Sequence, residues 1–373
     1  MDCQAFVESM RPEGVTFFTG VPDSLLKSFC AFLANHASAE THVIAANEGG
    51  AVALAAGHYL ATGKPSLVYL QNSGLGNAVN PLVSLADPAV YGIPMLLLVG
   101  WRGEPGVKDE PQHIQQGAIT PALCEAIGLP HAILPAETEP ALNTLKDMLR
   151  LSIQQSRPVA LIVRAGFFTD DRSFKKPSPY TLGREEAVSN IVALLPPEAA
   201  VVSTTGHISR ELFEHRVRKG EGHSHDFLTV GSMGHASQIA LGIALAQPHR
   251  PVVCLDGDGA ALMHMGAMAI VGTSGAKNLL HVVLNNGAHD SVGGQPTVGF
   301  DVDLVQIANA CGYRSAHRPE GLDAIRSTLG KLFIADGPHF MEVRVAKGAR
   351  KDLGRPTTTP VDNKTAFMRF LEA

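Results

Sequence analysis

The sequence predicts an α/β protein of two domains, each a mostly parallel sheet flanked by helices. Three observations carry that expectation. Its 373 residues, 45% apolar and 17% charged, suffice for about two globular cores. Short apolar runs without alternation recur between helical stretches, as in SLVYL at 66–70, MLLLV at 95–99, PVALIV at 158–163 and VVCL at 252–255. Such runs read as strands buried on both faces in successive βα units. The third observation is an internal repeat, because a shift of 186 positions superposes the first half on the second without a gap.

Taken in chain order, the repeat begins with Thr19-Gly20 on Thr205-Gly206, each followed by a helix-like stretch (24–34 and 209–218). Helices of small residues follow at 51–61 and 237–246, just before Pro65 and Pro251, which open the strand-like runs 66–70 and 252–255. Asn72 lands on Asp258, and Leu96-Leu97-Leu98 lands on Val282-Val283-Leu284. Near the half ends, 158–163 resembles 338–343 at an offset of 180. Between the halves, TDDRSFKKPSPYTLG (169–183) is polar, basic and proline-containing, and reads as a linker. The domains are therefore expected at 1–168 and 184–373, with a final helix over 363–371.

Composition excludes several classes. Lys+Arg 30 against Asp+Glu 35 gives a net charge of -5, which argues against a general binder of nucleic acid or anionic membranes. No apolar run approaches the roughly 18 residues of a spanning helix. The start, MDCQAFVESMRPEG, lacks a basic region followed by an apolar core, so no signal peptide is expected. Five cysteines, an odd number without close pairing, fit reduced thiols in a cytoplasmic protein. Glycine is in excess, with 37 residues, and points to tight turns beside bound phosphates or cofactors.

The halves specialise where equivalent positions differ. In LDGDGA (255–260), Asp258 follows a buried strand, and 28 residues later the next strand ends in Asn285-Asn286-Gly287-Ala288. A carboxylate and an amide oxygen at neighbouring strand ends, without Cys or His at metal spacing, suit Mg²⁺ holding a diphosphate. GDG alone is equally an ordinary glycine turn; the Asn pair at its spacing strengthens the metal reading. In the first half the same positions are Asn72 and Gly100, which cannot form that site. Its own exception is Glu48, in AANEGG just before the small-residue helix, where an acid also simply suits a helix N-terminus.

Together these residues resemble the thiamine-diphosphate-dependent 2-keto acid decarboxylases, over essentially the whole chain. The resemblance implies two domains of the thiamine-diphosphate-binding fold, a pyrimidine-binding half and a diphosphate-binding half, with no middle domain. The stretches FFTGVPDSLLKSFC, YLQNSGLGNAVNPL, PMLLLVGWRGEPGVKDEPQH and GARKDLGRPTTTP are similar to those of members that act on pyruvates with an anionic group at C3. The implied reaction is 3-phosphonopyruvate to phosphonoacetaldehyde and CO₂. The alternatives are sulfopyruvate decarboxylation, a non-catalytic partner subunit of this fold, and an unrelated Mg²⁺-nucleotide enzyme on a doubly wound fold.

The resemblance also implies roles. Thiamine diphosphate and Mg²⁺ are the expected cofactors, with Asp258, Asn286 and the Ala288 carbonyl on the metal. Gly257, Gly259 and Ala260 would line the diphosphate through their backbone, near Thr205, Gly206 and His207. Gly231-Ser232-Met233-Gly234 resembles the segment whose apolar residue, here Met233, wedges between the cofactor rings; core packing is the alternative for Met233 and is preferred for a Met-rich helix over 263–268. Glu48 would activate the cofactor. Asp23 and His113 would handle the proton added before aldehyde release, with His289 a second candidate. The implied assembly is a homodimer or larger, with active sites at the subunit interface.

A phosphonate carries about two negative charges and calls for Arg and Lys donors. The segment KGARKDLGR (347–355) offers Arg350, Lys351 and Arg355, as a lid over the site or as a solvated basic stretch. Arg102 with Lys108 is a competing anion site. His223 and His225 lack further spaced ligands for a transition metal.

Overall fold

The computed structural model describes residues 1–169 and 177–372, so residues 170–176 of the expected linker at 169–183 lie outside the described residues. The described chain divides into two compact units, one of residues 1–169 and 292–295, the other of 177–291 and 296–372.

The first unit holds a six-stranded sheet in the order His42–Ile44, Phe18–Gly20, Ser66–Gln71, Met95–Gly100, Pro158–Val163, His131–Ile133. The second holds Asp226–Leu228, Ala200–Ser203, Val252–Gly257, Leu279–Asn285, His339–Arg344, Ser315–His317. Every neighbouring pair in both sheets is parallel. Numbered by chain order within its own unit, each sheet runs 2-1-3-4-6-5, so the two units share one topology.

The unalternating apolar runs follow from burial on both faces. Leu67, Tyr69, Leu96 and Leu98 point into one core, whereas Val68, Leu70, Leu97 and Val99 point into another. In the second unit Val253 and Leu255 face one cluster while Val252 and Cys254 face the other. The small-residue helices are Glu48–Thr62 and Ala236–Ala246, and their alanines let each pack closely on its sheet. The last helix is Pro360–Glu372, longer than expected at its start.

The register corrects the uniform offset. Phe18 lies beside Leu67 and Val201 beside Val253, so the first strands superpose at 183. Thr19-Gly20 therefore sits inside its strand, but Thr205-Gly206 lies beyond the end of Ala200–Ser203. Ser66 lies beside Met95 and Val252 beside Leu279, which places the fourth strands at 184, and Leu96–Leu98 match 280–282. Insertions in the connecting loops account for these slips. The offset of 180 holds, with Val159 beside Leu96 and His339 beside Leu280. The helix expected over 263–268 is broken: one helix ends at Met263, the next is Gly266–Thr273, and Met265 between them is exposed.

Candidate active site

In open parallel sheets, ligands bind at the carboxyl ends of the strands. In the first unit, four adjacent strands each send polar groups from that end. Asp23 follows Phe18–Gly20, Glu48 follows His42–Ile44, Asn72 and Asn77 follow Ser66–Gln71, and Arg102 follows Met95–Gly100.

Glu48 is the first residue of its helix, not a residue before it. Asn47 is the cap, its side chain accepting from the Gly50 N–H at 2.8 Å. The Glu48 side chain is buried, and Asn77 Nδ2 donates to its Oε2 at 2.8 Å. Burial raises its pKa above the ordinary carboxylate value, against that hydrogen bond. Gly74 makes the seat possible, because a Cβ there would lie 2.5 Å from Glu48 Cδ.

Asp23 is fully buried, and burial pushes its carboxyl up to about 6 against the pull of Arg102 and backbone hydrogen bonds. Its Oδ2 accepts from Leu25 N at 3.1 Å, while Oδ1 has no hydrogen-bond partner among the described residues. Gly100 is needed beside it, since a Cβ there would collide with Oδ2. Arg102 forks onto Asp109 and donates to Ser24 Oγ at 2.7 Å. His113 stands in the first turn of the helix Pro111–Ala126, and burial with help from Arg102 lowers its pKa to about 4. Its Nδ1 is buried without a hydrogen-bond partner among the described residues, as is Oε1 of neighbouring Gln112. Arg102, the competing anion site, is thus an electrostatic link between Asp23 and His113.

In the second unit one cavity gathers most of the expected cofactor residues. Thr205, His207, Met233, Gly257, Asp258, Gly259, Ala260, Asn286 and Ala288 all line it. Gly206 caps the helix His207–Lys219 with φ of 98°, which favours glycine. Gly231 and Ser232 are not among the lining residues. Ser232 has φ of 55°, an uncommon conformation for a residue with a side chain, immediately before Met233.

Asp258 opens the helix that follows Val252–Gly257 and is almost wholly buried. Thr297 Oγ1 hydrogen-bonds its Oδ2, and Asn286 N donates to Oδ1 at 3.3 Å. Burial nonetheless pushes this carboxyl up to about 6. Asn286 Oδ1 accepts from Ala288 N at 3.1 Å, and its Nδ2 donates to Asp290 Oδ2 at 2.6 Å. Asn285 instead braces the loops around it. Its Nδ2 donates to Gly299 O and Glu342 Oε1 at 2.6 and 2.7 Å, while Oδ1 accepts from Gly287 N.

The residues fit a diphosphate and a divalent cation. Carboxylate, amide and carbonyl oxygens make a hard donor set, and a cation supplies the countercharge that a buried Asp258 carboxylate needs. Gly259 keeps a cradle open, because a Cβ there would be 3.0 Å from the His289 ring and 3.4 Å from Met233 Cε. His207, at the N-terminus of a 13-residue helix, has a buried Nδ1 without a hydrogen-bond partner among the described residues, in a place suited to an anion. Burial lowers the His207 and His289 pKa values to about 4.

The basic segment is engaged within its own unit. Arg350 contacts Glu185, Glu214 and Asp352, so it anchors the loop and is not an idle donor. Lys351 and Arg355 are exposed. His223 stacks on Phe213 at 3.9 Å and His225 on Phe370 at 4.0 Å, which separates their roles from metal binding. Sequence reasoning missed Gly74, Asn77, Thr297, Arg184 and Asp290. Only Asp290 left a local signal, as a carboxylate four residues after Asn286.

Comparison with known proteins identifies the family. Residues 3–122 match the thiamine pyrophosphate enzyme N-terminal TPP binding domain, and residues 204–343 match the C-terminal TPP binding domain. The chain is 38% identical to phosphonopyruvate decarboxylase of Streptomyces viridochromogenes, over 96% of this chain and 92% of that one. It is also 38% identical to phosphonopyruvate decarboxylase of Streptomyces hygroscopicus, over 96% and 90%. Identity to sulfopyruvate decarboxylase of Methanosarcina acetivorans is 29%, over 98% and 96%.

Proposed function

The chain belongs to the thiamine pyrophosphate enzymes, in a branch of decarboxylases, and from that premise we propose that it converts 3-phosphonopyruvate to phosphonoacetaldehyde and CO₂. The observation that carries the substrate is the 38% identity to phosphonopyruvate decarboxylases along nearly the full length, against 29% to the sulfonate enzyme. Thiamine diphosphate is the cofactor, and when bound it supplies the electron sink without which a 2-keto acid does not release CO₂.

Residues 1–168 form the pyrimidine-binding domain and 184–373 the diphosphate-binding domain. Asp258, Asn286 and the Ala288 carbonyl hold Mg²⁺; Gly257, Gly259 and Ala260 receive the diphosphate, with Thr205, Gly206 and His207 beside it. Met233 supports the ring system, with Gly231 and Ser232 leading the chain into it from outside the cavity lining. Glu48 shares a proton at Oε1, because Asn77 occupies Oε2, and its raised pKa suits that sharing. Asp23, near 6, is tuned to deliver and recover a proton around neutral pH, whereas His113 stays neutral and accepts or donates a hydrogen bond. Lys351 and Arg355, on a loop anchored by Arg350, supply cationic donors for the phosphonate.

The working unit is a homodimer or larger, with Glu48 of one subunit serving the diphosphate site of another. A cytoplasmic location accords with five free cysteines. No helix among the described residues is long and apolar enough to cross a membrane. The test is kcat/KM for phosphonopyruvate, sulfopyruvate and pyruvate in parallel. Preference for the phosphonate is expected; preference for the sulfonate would reassign the substrate, and indifference to thiamine diphosphate would remove the reading altogether.

A further inference from the structure

Asp290 is a node. Three donors converge on its Oδ2: Asn286 Nδ2 at 2.6 Å, Arg184 Nη1 at 2.9 Å and Gly348 N at 2.8 Å. Arg184 is buried at the start of the helix Arg184–Val192 and forks onto buried Glu211, with both Nε and Nη2 about 3 Å from its oxygens. The same guanidinium reaches Gly348 O at 3.4 Å. Glu211 and Asp290 therefore share one buried cation. Gly348 is the second residue of the basic segment that Arg350 then pins to Glu185 and Glu214, while Gly354 N donates to Glu214.

We propose that Arg184 and Asp290 are positioning residues that orient Asn286 toward the divalent cation and tie the cation loop to the 347–355 segment. The inference rests on the reading of Asn286 as a metal ligand. An asparagine side chain can present either its oxygen or its NH₂ group. Asp290 takes the NH₂ group, so the side-chain oxygen is the end turned away from it, where Ala288 N donates to it at 3.1 Å and its second lone pair is left for a cation. Because the same carboxylate oxygen holds Gly348, ordering of the cation loop and of the segment carrying Lys351 and Arg355 is one event. Cation occupancy thereby prepares the loop that meets the substrate's anionic group.

The test uses the full-length protein and the variants Asp290→Ala and Asp290→Asn. Mg²⁺ and thiamine diphosphate binding are measured by calorimetry, and hydrogen exchange of 347–355 is followed with and without both. Partners that orient a metal ligand are worth about 10–100-fold in metal affinity, so Asp290→Ala should weaken Mg²⁺ by about tenfold or more. It should also abolish the ligand-induced protection of 347–355. Asp290→Asn, which keeps an acceptor oxygen, should recover part of both. Asp290→Ala leaves Arg184 paired with Glu211, and the apoprotein Tm of each variant separates folding from positioning. Unchanged affinity and unchanged protection in folded Asp290→Ala would overturn the proposal and leave the proposed function standing. Failure of the wild type to bind either ligand would overturn both.

Discussion

Gly74→Ala tests the seat of Glu48 without altering a single reacting group. Its Cβ would lie 2.5 Å from Glu48 Cδ and 2.6 Å from Cγ, whereas carbon atoms settle at about 3.5 Å or more. The carboxyl must therefore retreat by roughly 1 Å or break its bond to Asn77. Misplacement on that scale costs on the order of a hundredfold in rate, or about 2.7 kcal/mol in barrier. Over-packing should also cost about 1–3 kcal/mol of stability. Gly76→Ala is the matched control, two residues on, exposed, with nothing within 4 Å of its new methyl group. It should be neutral or stabilise by about 0.4–1 kcal/mol. The assay is kcat for CO₂ release together with exchange of the cofactor's acidic ring proton into D₂O. Folded Gly74→Ala with kcat within about threefold of wild type would refute the role given to Glu48's placement.

Further expectations concern pH, assembly and substrate. Asp23 is raised from 3.8 to about 6, so its favourable neutral form is lost as pH rises through that window, and by pH 7 its buried charge costs at most about 3 kcal/mol. Asp23→Asn should accordingly raise Tm at pH 7.5 but not at pH 4, while lowering kcat; equal shifts at both pH values would contradict the burial argument. His113 has the opposite sign, lowered from 6.5 to about 4, so its contribution is lost as pH falls through that range. His113→Gln should therefore soften acid unfolding there, and an unchanged acid limb in urea titrations would refute it. Mixing inactive Glu48→Gln and Asp258→Asn dimers should restore about a quarter of wild-type activity if sites form between subunits, and none if each site lies within one chain. Lys351→Ala should raise KM about tenfold for phosphonopyruvate and little for pyruvate; equal effects would remove the basic loop from substrate binding.

Strand positions were legible in the sequence because strands buried on both faces leave unbroken apolar runs, as at 95–99 and 252–255. Duplication was legible too, and the structure repeats the same 2-1-3-4-6-5 order in both units. The common offset was legible only where no loop insertion intervened, so Thr19-Gly20 was matched to the wrong side of a strand end. Asp258 and Asn286 were readable as a pair from spacing, since two consecutive strand ends carry them, whereas the Ala288 carbonyl followed only from the family resemblance. Their supports were not. Gly74 and Asn77 reach Glu48 across 26 and 29 positions, and Arg184 meets Asp290 across 106, distances over which local pattern carries no contact information. Arg350 shows the converse error, since a basic run gives no hint that Glu185 and Glu214 already claim its guanidinium.

The proposed reaction is chemical at its heart, and ³¹P NMR addresses it directly. Apoprotein, Mg²⁺, thiamine diphosphate and 3-phosphonopyruvate are combined while CO₂ is collected. Phosphonoacetaldehyde and CO₂ should form in equal amounts, with no product when thiamine diphosphate is omitted and turnover by Glu48→Gln lowered at least about hundredfold. Turnover of sulfopyruvate or pyruvate with none of 3-phosphonopyruvate would contradict the substrate. Full turnover by Glu48→Gln would contradict the mechanism.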